Sequence, residues 1–305
     1  MSRPPTFALP PGCRALPLRT PRGTFAAVES PAAEGVAPKG VVLLLPGFTG
    51  SKEDFHPLHP PLAARGYRTV AVDGRGQFES DGPEDDESAY AQAELARDVL
   101  AQAAALGAPL HLLGHSLGGQ IARAALLLDT APFRSLTLMS SGPAQISASQ
   151  QERVKLLRDA LSVMSMAEVW DVMQAMEATA VPPGGTAAPT VGGVVALDTG
   201  TDGDDGHGGD LRRRWLTTRP AQLLATGGQL CTEPDRVAEL AATGTPCHVL
   251  SGARDDTWPV PLLDDMALRL GAHRTVVEGA EHSPNTDRPE ATAGALADFW
   301  DGVRG

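Results

Sequence analysis

The sequence predicts an α/β fold: a mostly parallel central sheet of about eight strands, flanked by helices and carrying a helical cap insertion. Three observations lead there. Short apolar runs recur along the chain and stop at glycine, proline or a small polar residue, as strands buried on both faces do. Between them lie stretches of 3.6-residue periodicity, several closed by glycine. Near residue 143 this alternation breaks off, and it resumes only at about 231.

The elements follow in order. "ALPLRTPRGTFAAVES" reads as two short strands joined by a turn at Pro21-Arg22-Gly23. "GVVLLLPGF" holds an unbroken apolar run from Val41 to Leu45, a strand with both faces covered. The polar opening "TGSKEDF" leads into a helix ending at Gly66, and "YRTVAVDGRG" is the next strand. "SAYAQAELARDVLAQAAALG" is an Ala-rich helix closed by Gly107. Strand "PLHLLGHS", helix "LGGQIARAALLLDT" and strand "RSLTLMSSGP" follow. Such alternation implies right-handed crossovers and a sheet covered on both faces.

Residues 144–180 contain only helical periodicity, with Val154, Leu157, Leu161 and Met164 on one face. Four of the seven methionines (Met164, Met166, Met173, Met176) and Trp170 fall here, which suits a helix pair packed on the main domain or a lid lining an apolar pocket. The stretch near 181–210 is rich in Gly, Pro and Asp and reads as a mobile loop. Its acids, Asp198, Asp202, Asp204, Asp205 and Asp210, lack the spacing of a calcium loop. Helical texture returns at "LRRRWLTTRPAQLLATGGQL" and "EPDRVAELAAT". Strand "PCHVLSG", helix "PVPLLDDMALRLG", strand "HRTVVEG" and helix "RPEATAGALADFWDGV" complete the chain. The expected organisation is a core of 1–143 and 231–305 with a lid, 144–230, between its two parts.

Composition narrows the function. A chain of 305 residues with a net charge of −12 lacks the clustered basic residues that nucleic acid or an anionic membrane surface requires. Cys13, Cys231 and Cys247 have no metal-like spacing and read as free thiols of a reducing compartment. With no secretory apolar core and no 18-residue apolar span, the expectation is a soluble cytoplasmic protein, its oligomeric state open.

The chemistry centres on "HLLGHSLGGQIARAALLL", His111 to Leu128. Gly-x-Ser-x-Gly alone is a weak signal in a glycine-rich chain, but here the serine has the right context. Ser116 follows an apolar strand and opens a strong helix, and on so sharp a turn Gly114 and Gly118 sit where side chains would collide. The helix starting at Leu117 aims free N–H groups and its positive dipole end at the site. Ser116 is therefore the candidate nucleophile. It needs a base, and the base needs an orienting acid. Of eight histidines, His56 and His59 lie in a Pro-rich loop, His111 and His248 inside strands, His207 in the insertion, and His273 at a strand start. His115 adjoins the serine and is expected to point away from it. His282, between the last strand and last helix, sits at the carboxyl end of a strand, where open parallel sheets place their sites. For the acid, "SGARDDTWPV" offers Asp255 and Asp256, in the chain order Ser…Asp…His.

With these residues in place, the chain resembles the α/β-hydrolase family, with a lid after the sixth strand. The resemblance implies a carboxylic ester hydrolase acting on a small-molecule acyl substrate without metal or organic cofactor. The family's acid turn, Gly-x-x-Asp-x-x-x-Pro, fits Gly252, Asp255 and Pro259 and so selects Asp255. Its Asp-x-Arg-Gly-x-x-x-Ser stretch matches Asp73, Arg75, Gly76 and Ser80, with a structural role under the site. Its oxyanion loop falls at Pro46-Gly47, where the family often has His-Gly, and implies the N–H groups of Phe48 and Leu117 as donors. The Phe48 side chain, with Met164 and Trp170 of the lid, is expected to line an apolar cleft. Similar scaffolds carry cofactor-free haloperoxidases, perhydrolases, amino- or iminopeptidases and non-catalytic ligand receptors. Dehalogenase-type members are disfavoured because they use an aspartate where this chain has Ser116.

Overall fold

The computed structural model describes residues 2–180 and 206–303. Eight strands form one sheet: β1 (Arg14–Thr20), β2 (Gly23–Ser30), β3 (Gly40–Leu45), β4 (Tyr67–Val72), β5 (Leu110–His115), β6 (Phe133–Met139), β7 (Cys247–Gly252) and β8 (His273–Val277). Their spatial order is β1-β2-β4-β3-β5-β6-β7-β8, antiparallel at β1/β2 and β2/β4 and parallel everywhere else.

The helices are α1 (His59–Ala63), α2 (Gln92–Leu106), α3 (Leu117–Leu128), α4 (Ala148–Leu161), α5 (Met166–Ala180), α6 (His207–Thr217), α7 (Pro220–Thr232), α8 (Val237–Ala242), α9 (Val260–Leu270), α10 (Pro284–Asp287) and α11 (Pro289–Gly302). Two expected helices are broken up. The segment after β3 is a 3-10 helix, Lys52–Leu58, followed by the short α1, because Pro57, Pro60 and Pro61 withhold backbone donors. Before α2 stands a separate 3-10 turn, Glu87–Tyr90, and α2 ends as expected at a left-handed Gly107 (φ 84°).

The apolar run of β3 shows why the sheet is buried on both sides. Leu43 and Leu45 face a cluster built with α2, α3, α8 and α9, whereas Val42 and Leu44 face one built with α1 and α11. A period of two sends alternate residues to opposite layers, and β4 divides Val70 and Val72 from Ala71 in the same way. The in-strand histidines are structural. His111 stacks on Trp300 and its Nδ1 lies 2.8 Å from Ser135 Oγ, while His248 Nε2 lies 2.9 Å from Thr275 Oγ1.

Helices α4–α7 fall between β6 and β7. Val169, Trp170, Leu211, Trp215 and Leu223 form their buried apolar cluster, edged by Met164, Met166, Met173 and Phe48. Helix α7 also joins the main body: Leu230 lies in the large core cluster and Ala221 packs with Tyr90 and Leu95. It runs to Thr232, two residues past the expected end of the insertion. Asp198, Asp202, Asp204 and Asp205 lie outside the described residues, and Asp210 sits in the first turn of α6. Among the described residues no helix is long and apolar enough to cross a membrane, and Cys13, Cys231 and Cys247 are free.

The segment after β3, polar in sequence, is buried. Lys52 is 2% exposed, its Nζ 2.8 Å from carboxylate oxygens of Glu53, Asp73 and Glu79. Burial pulls its pKa down, but Asp73 and Glu53 outweigh that and hold the ammonium above its ordinary range. Replacing Lys52 with Met leaves Asp73 and Glu53 buried without their cation, so Lys52→Met is expected to lose about 3–5 kcal/mol in urea unfolding. A loss under about 1 kcal/mol would mean that Asp73 does not carry its charge.

Candidate active site

Strand order reverses at β3, with β4 on one side and β5 on the other, and the chain leaves β3 and β5 toward opposite faces of the sheet, where open α/β sheets place their sites. Ser116 sits at the tip of β5 with φ 54° and ψ −120°, a conformation that non-glycine residues rarely adopt. The glycines around it make that turn possible. A Cβ on Gly114 would lie 2.2 Å from Gly118 O, and one on Gly118 would lie 2.4 Å from Leu45 O. The Ser116 N–H donates to Met139 O at 2.9 Å, which ties the turn to β6.

Three expected residues meet at this point. His282 Nε2 lies 3.1 Å from Ser116 Oγ, and His282 Nδ1 lies 3.0 Å from both carboxylate oxygens of Asp255. The Asp255 side chain is fully buried and its Oδ1 also accepts from the N–H groups of Thr257 and Trp258, at 2.9 and 3.1 Å. Burial raises its pKa, but the His282 charge and these donors outweigh that and hold it below the usual carboxylate value. For His282, burial lowers the pKa while Asp255 raises it by charge and hydrogen bond, and the net shift is upward. Asp256 turns the other way, toward α4, where Gln150 Nε2 donates to it at 2.9 Å.

The other expected residues lie around this line. Gly47 rests against the serine, since a Cβ there would stand 3.3 Å from Ser116 Cβ. Phe48 follows it, and the far end of its ring meets α7 where Gly227 leaves room: a Cβ there would be 3.2 Å from Phe48 Cζ. Phe48 therefore wedges between the main core and the cluster that contains Trp170 and Met164. Trp170 is buried within that cluster, and Met164 packs on its edge, partly buried. Leu117 is the first residue of α3, so its N–H has no acceptor within the helix. Asp73, Arg75 and Ser80 brace the loop below. Ser80 Oγ donates to Asp73 O at 2.8 Å and accepts from the Ala26 N–H at 2.9 Å, and Arg75 Nε donates to Asp98 at 2.8 Å.

Two neighbours were not singled out in the sequence. His115, expected to point away, reaches beneath the histidine loop: its Nε2 lies 2.9 Å from His282 O, so that nitrogen carries the proton and donates. Burial holds its pKa down to about 4. Trp258, fully buried, stacks at 30° to the His282 ring with centroids 6.3 Å apart, and its Nε1 donates to Ala144 O at 3.0 Å. A histidine beside a serine, and a tryptophan three residues past an aspartate, carry no signal of their own without the fold that folds them back.

The two imidazoles titrate in opposite directions. The raised pKa of His282 stabilises the native state below pH 6.5, and that contribution is lost as pH rises through the folded value. The lowered pKa of His115 gives stability above pH 6.5 that is lost as pH falls toward about 4. An NMR titration of ring protons is expected to place His282 above 6.5 and His115 near 4. Asp255→Asn is expected to bring His282 down, and an unmoved His282 would mean the carboxylate is not its partner.

Comparison with known proteins agrees with this architecture. The model of the Alpha/beta hydrolase family matches residues 42–295. The chain is 31% identical over 258 residues, 82% of its length, to a pimeloyl-[acyl-carrier protein] methyl ester esterase of Aeromonas hydrophila, 91% of which is covered. Among solved structures, a carboxylesterase of the thaumarchaeon Nitrososphaera gargenis superposes with a TM-score of 0.69 at 17% identity, covering 95% of this chain and 98% of the other. A thermophilic esterase from Thermogutta terrifontis gives a TM-score of 0.69 at 19% identity, covering 96% of this chain and 100% of its own.

Proposed function

The chain belongs to the α/β-hydrolase family, and from that premise we propose that it is a serine hydrolase cleaving small-to-medium carboxylic esters through an acyl-enzyme. The observation that carries the reading is the continuous line of hydrogen bonds from buried Asp255 through His282 to Ser116 on its strained turn. The esterase relative, similar over 82% of the chain, supports an ester as substrate.

Each group has one task. His282 Nε2 takes the proton as Ser116 Oγ attacks the acyl carbonyl, and Asp255 holds the ring in the Nδ1–H tautomer and stabilises its cation. The N–H groups of Phe48 and Leu117 receive the negative oxygen of the tetrahedral intermediate, helped by the positive end of α3. His282 returns its proton to the leaving alcohol. Water then loses a proton to His282 as it attacks the acyl-enzyme, and the acid departs. Helices α4–α7 serve as the lid, and the Phe48 ring with Met164 and Trp170 behind it supplies apolar surface for the acyl chain.

The test is a ladder of p-nitrophenyl esters from acetate to palmitate. Short and medium chains are expected to turn over, and Ser116→Ala is expected to abolish acyl-enzyme formation. Asp255→Asn is expected to lower kcat by about 10⁴, because the imidazole loses its tautomer and its counter-charge. Release of nitrophenol at the same rate by Ser116→Ala would remove the serine mechanism, and silence of the parent at every chain length would remove the ester.

A further inference from the structure

The side chain of Gln77 ends on the loop that carries Phe48. Its Nε2 donates to Gly47 O at 2.9 Å, and its Oε1 accepts from the Gly74 N–H at 2.9 Å. The second bond settles the orientation of the amide. A backbone N–H can only donate, so Oε1 must face Gly74 and Nε2 must face Gly47. The side chain is 5% exposed, so water competes little for either bond.

Gly47 O and the Phe48 N–H belong to one planar trans peptide, in which the carbonyl and the N–H point in opposite directions. Fixing one fixes the other. Among the described residues no acceptor takes the Phe48 N–H, so this peptide is held from its carbonyl side alone. The Gly50 N–H also reaches Gly47 O, at 3.2 Å, as the closure of the local turn. Gly47 has no side chain to resist rotation of the peptide. A rotated peptide would aim its carbonyl where its N–H had pointed, replacing an attraction with a repulsion.

Gln77 is itself well anchored. Left-handed Gly76 (φ 71°) and Phe78 (φ 39°) flank it. Its loop is tied down at both ends by the Ser80–Asp73 bond and by Lys52, whose backbone N–H and Nζ each donate to Asp73 at 2.8 Å.

We infer that Gln77 is a positioning residue, holding the Gly47–Phe48 peptide so that its N–H faces the oxygen that becomes negative at Ser116. The inference rests on the ester-hydrolysis reading for its reaction, although it concerns any chemistry in which Ser116 attacks a carbonyl.

An aliphatic trifluoromethyl ketone provides the test, because its hemiketal with Ser116 carries the oxyanion without requiring ester turnover. Gln77→Met keeps the length of the side chain and loses both bonds. Gln77→Glu keeps the acceptor for Gly74 but puts an oxygen opposite Gly47 O, and it serves should the first variant fail to fold. Adduct formation is followed by ¹⁹F NMR and inhibition, beside kcat and KM on the best p-nitrophenyl ester. In a folded variant, the ketone Ki is expected to rise about 10- to 100-fold, and kcat to fall in the same ratio with KM within about twofold. Ki and kcat equal to the parent's would overturn the role of Gln77 and leave the ester reading standing. A rise in KM alone would also overturn it, since that reports binding without transition-state stabilisation. A parent that forms the adduct but cleaves no ester would sink only the ester reading, with the ketone series still deciding for Gln77. A parent that forms no adduct would overturn both.

Discussion

The backbone of Ser116 is the constraint on which the site depends. Its φ of 54° and ψ of −120° cost about 1–3 kcal/mol in a residue with a side chain, and such a conformation persists only where the surroundings over-determine it. Here β3, β5, β6 and α3 converge within a space that Gly114 and Gly118 alone can fill. Gly119 extends the same packing, since a Cβ there would lie 2.4 Å from Ser141 Oγ. Relaxing Ser116 would therefore require moving the sheet and α3 apart, not merely rotating one peptide. The two large apolar clusters on either face of the sheet oppose that movement.

What surrounds the serine is supported chiefly by groups that carry no charge. His115, neutral through most of the pH range, holds the backbone of His282, and the indole of Trp258 backs its ring. Asp255 and His282 form an ion pair when the ring is protonated. The arrangement lets one proton move along one line. A charged His115 five ångströms from His282, ring centre to ring centre, would compete with that proton, and burial prevents it.

How far the sequence reveals all this follows from what each signal measures. Alternation of apolar runs and helical stretches reports burial against a sheet, so the strands and the main helices could be read from it. Ser116 and His282 have local context, a strand-to-helix turn and a strand-end loop, whereas Asp255 stands apart from Asp256 only through the acid turn of the family the chain resembles. The polarity of "SKEDF" carries no information on its burial: Lys52 is buried because Asp73, twenty-one residues on, lies beside it in space. Prolines within 57–61 broke the helix that periodicity suggested. His115, Trp258 and Gln77 share a different difficulty. Each acts through a contact whose partner lies on another loop, and no periodicity encodes such a pairing.

The α4–α7 insertion and the loop after β3 are joined by charge as well as by apolar packing. Arg214 of α6, 1% exposed, donates to Asp54 Oδ1 and Ser51 Oγ, both at 3.2 Å, just past Phe48 on the same loop. The N-terminal segment joins them: Ser2 Oγ donates to Asp54 Oδ2 at 2.6 Å and Ser2 O accepts from Arg214. Lifting α6 would leave buried charges unpaired, which is among the most expensive changes a protein interior can undergo. The contacts of α4 are of another kind, with Ser147, Gln150 and Arg153 meeting Asp256 at the exposed rim. Exposed polar contacts of that sort contribute little and exchange readily with water. The polar ties of α6 to the loop that bears Phe48 are therefore far stronger than those of α4 at its rim.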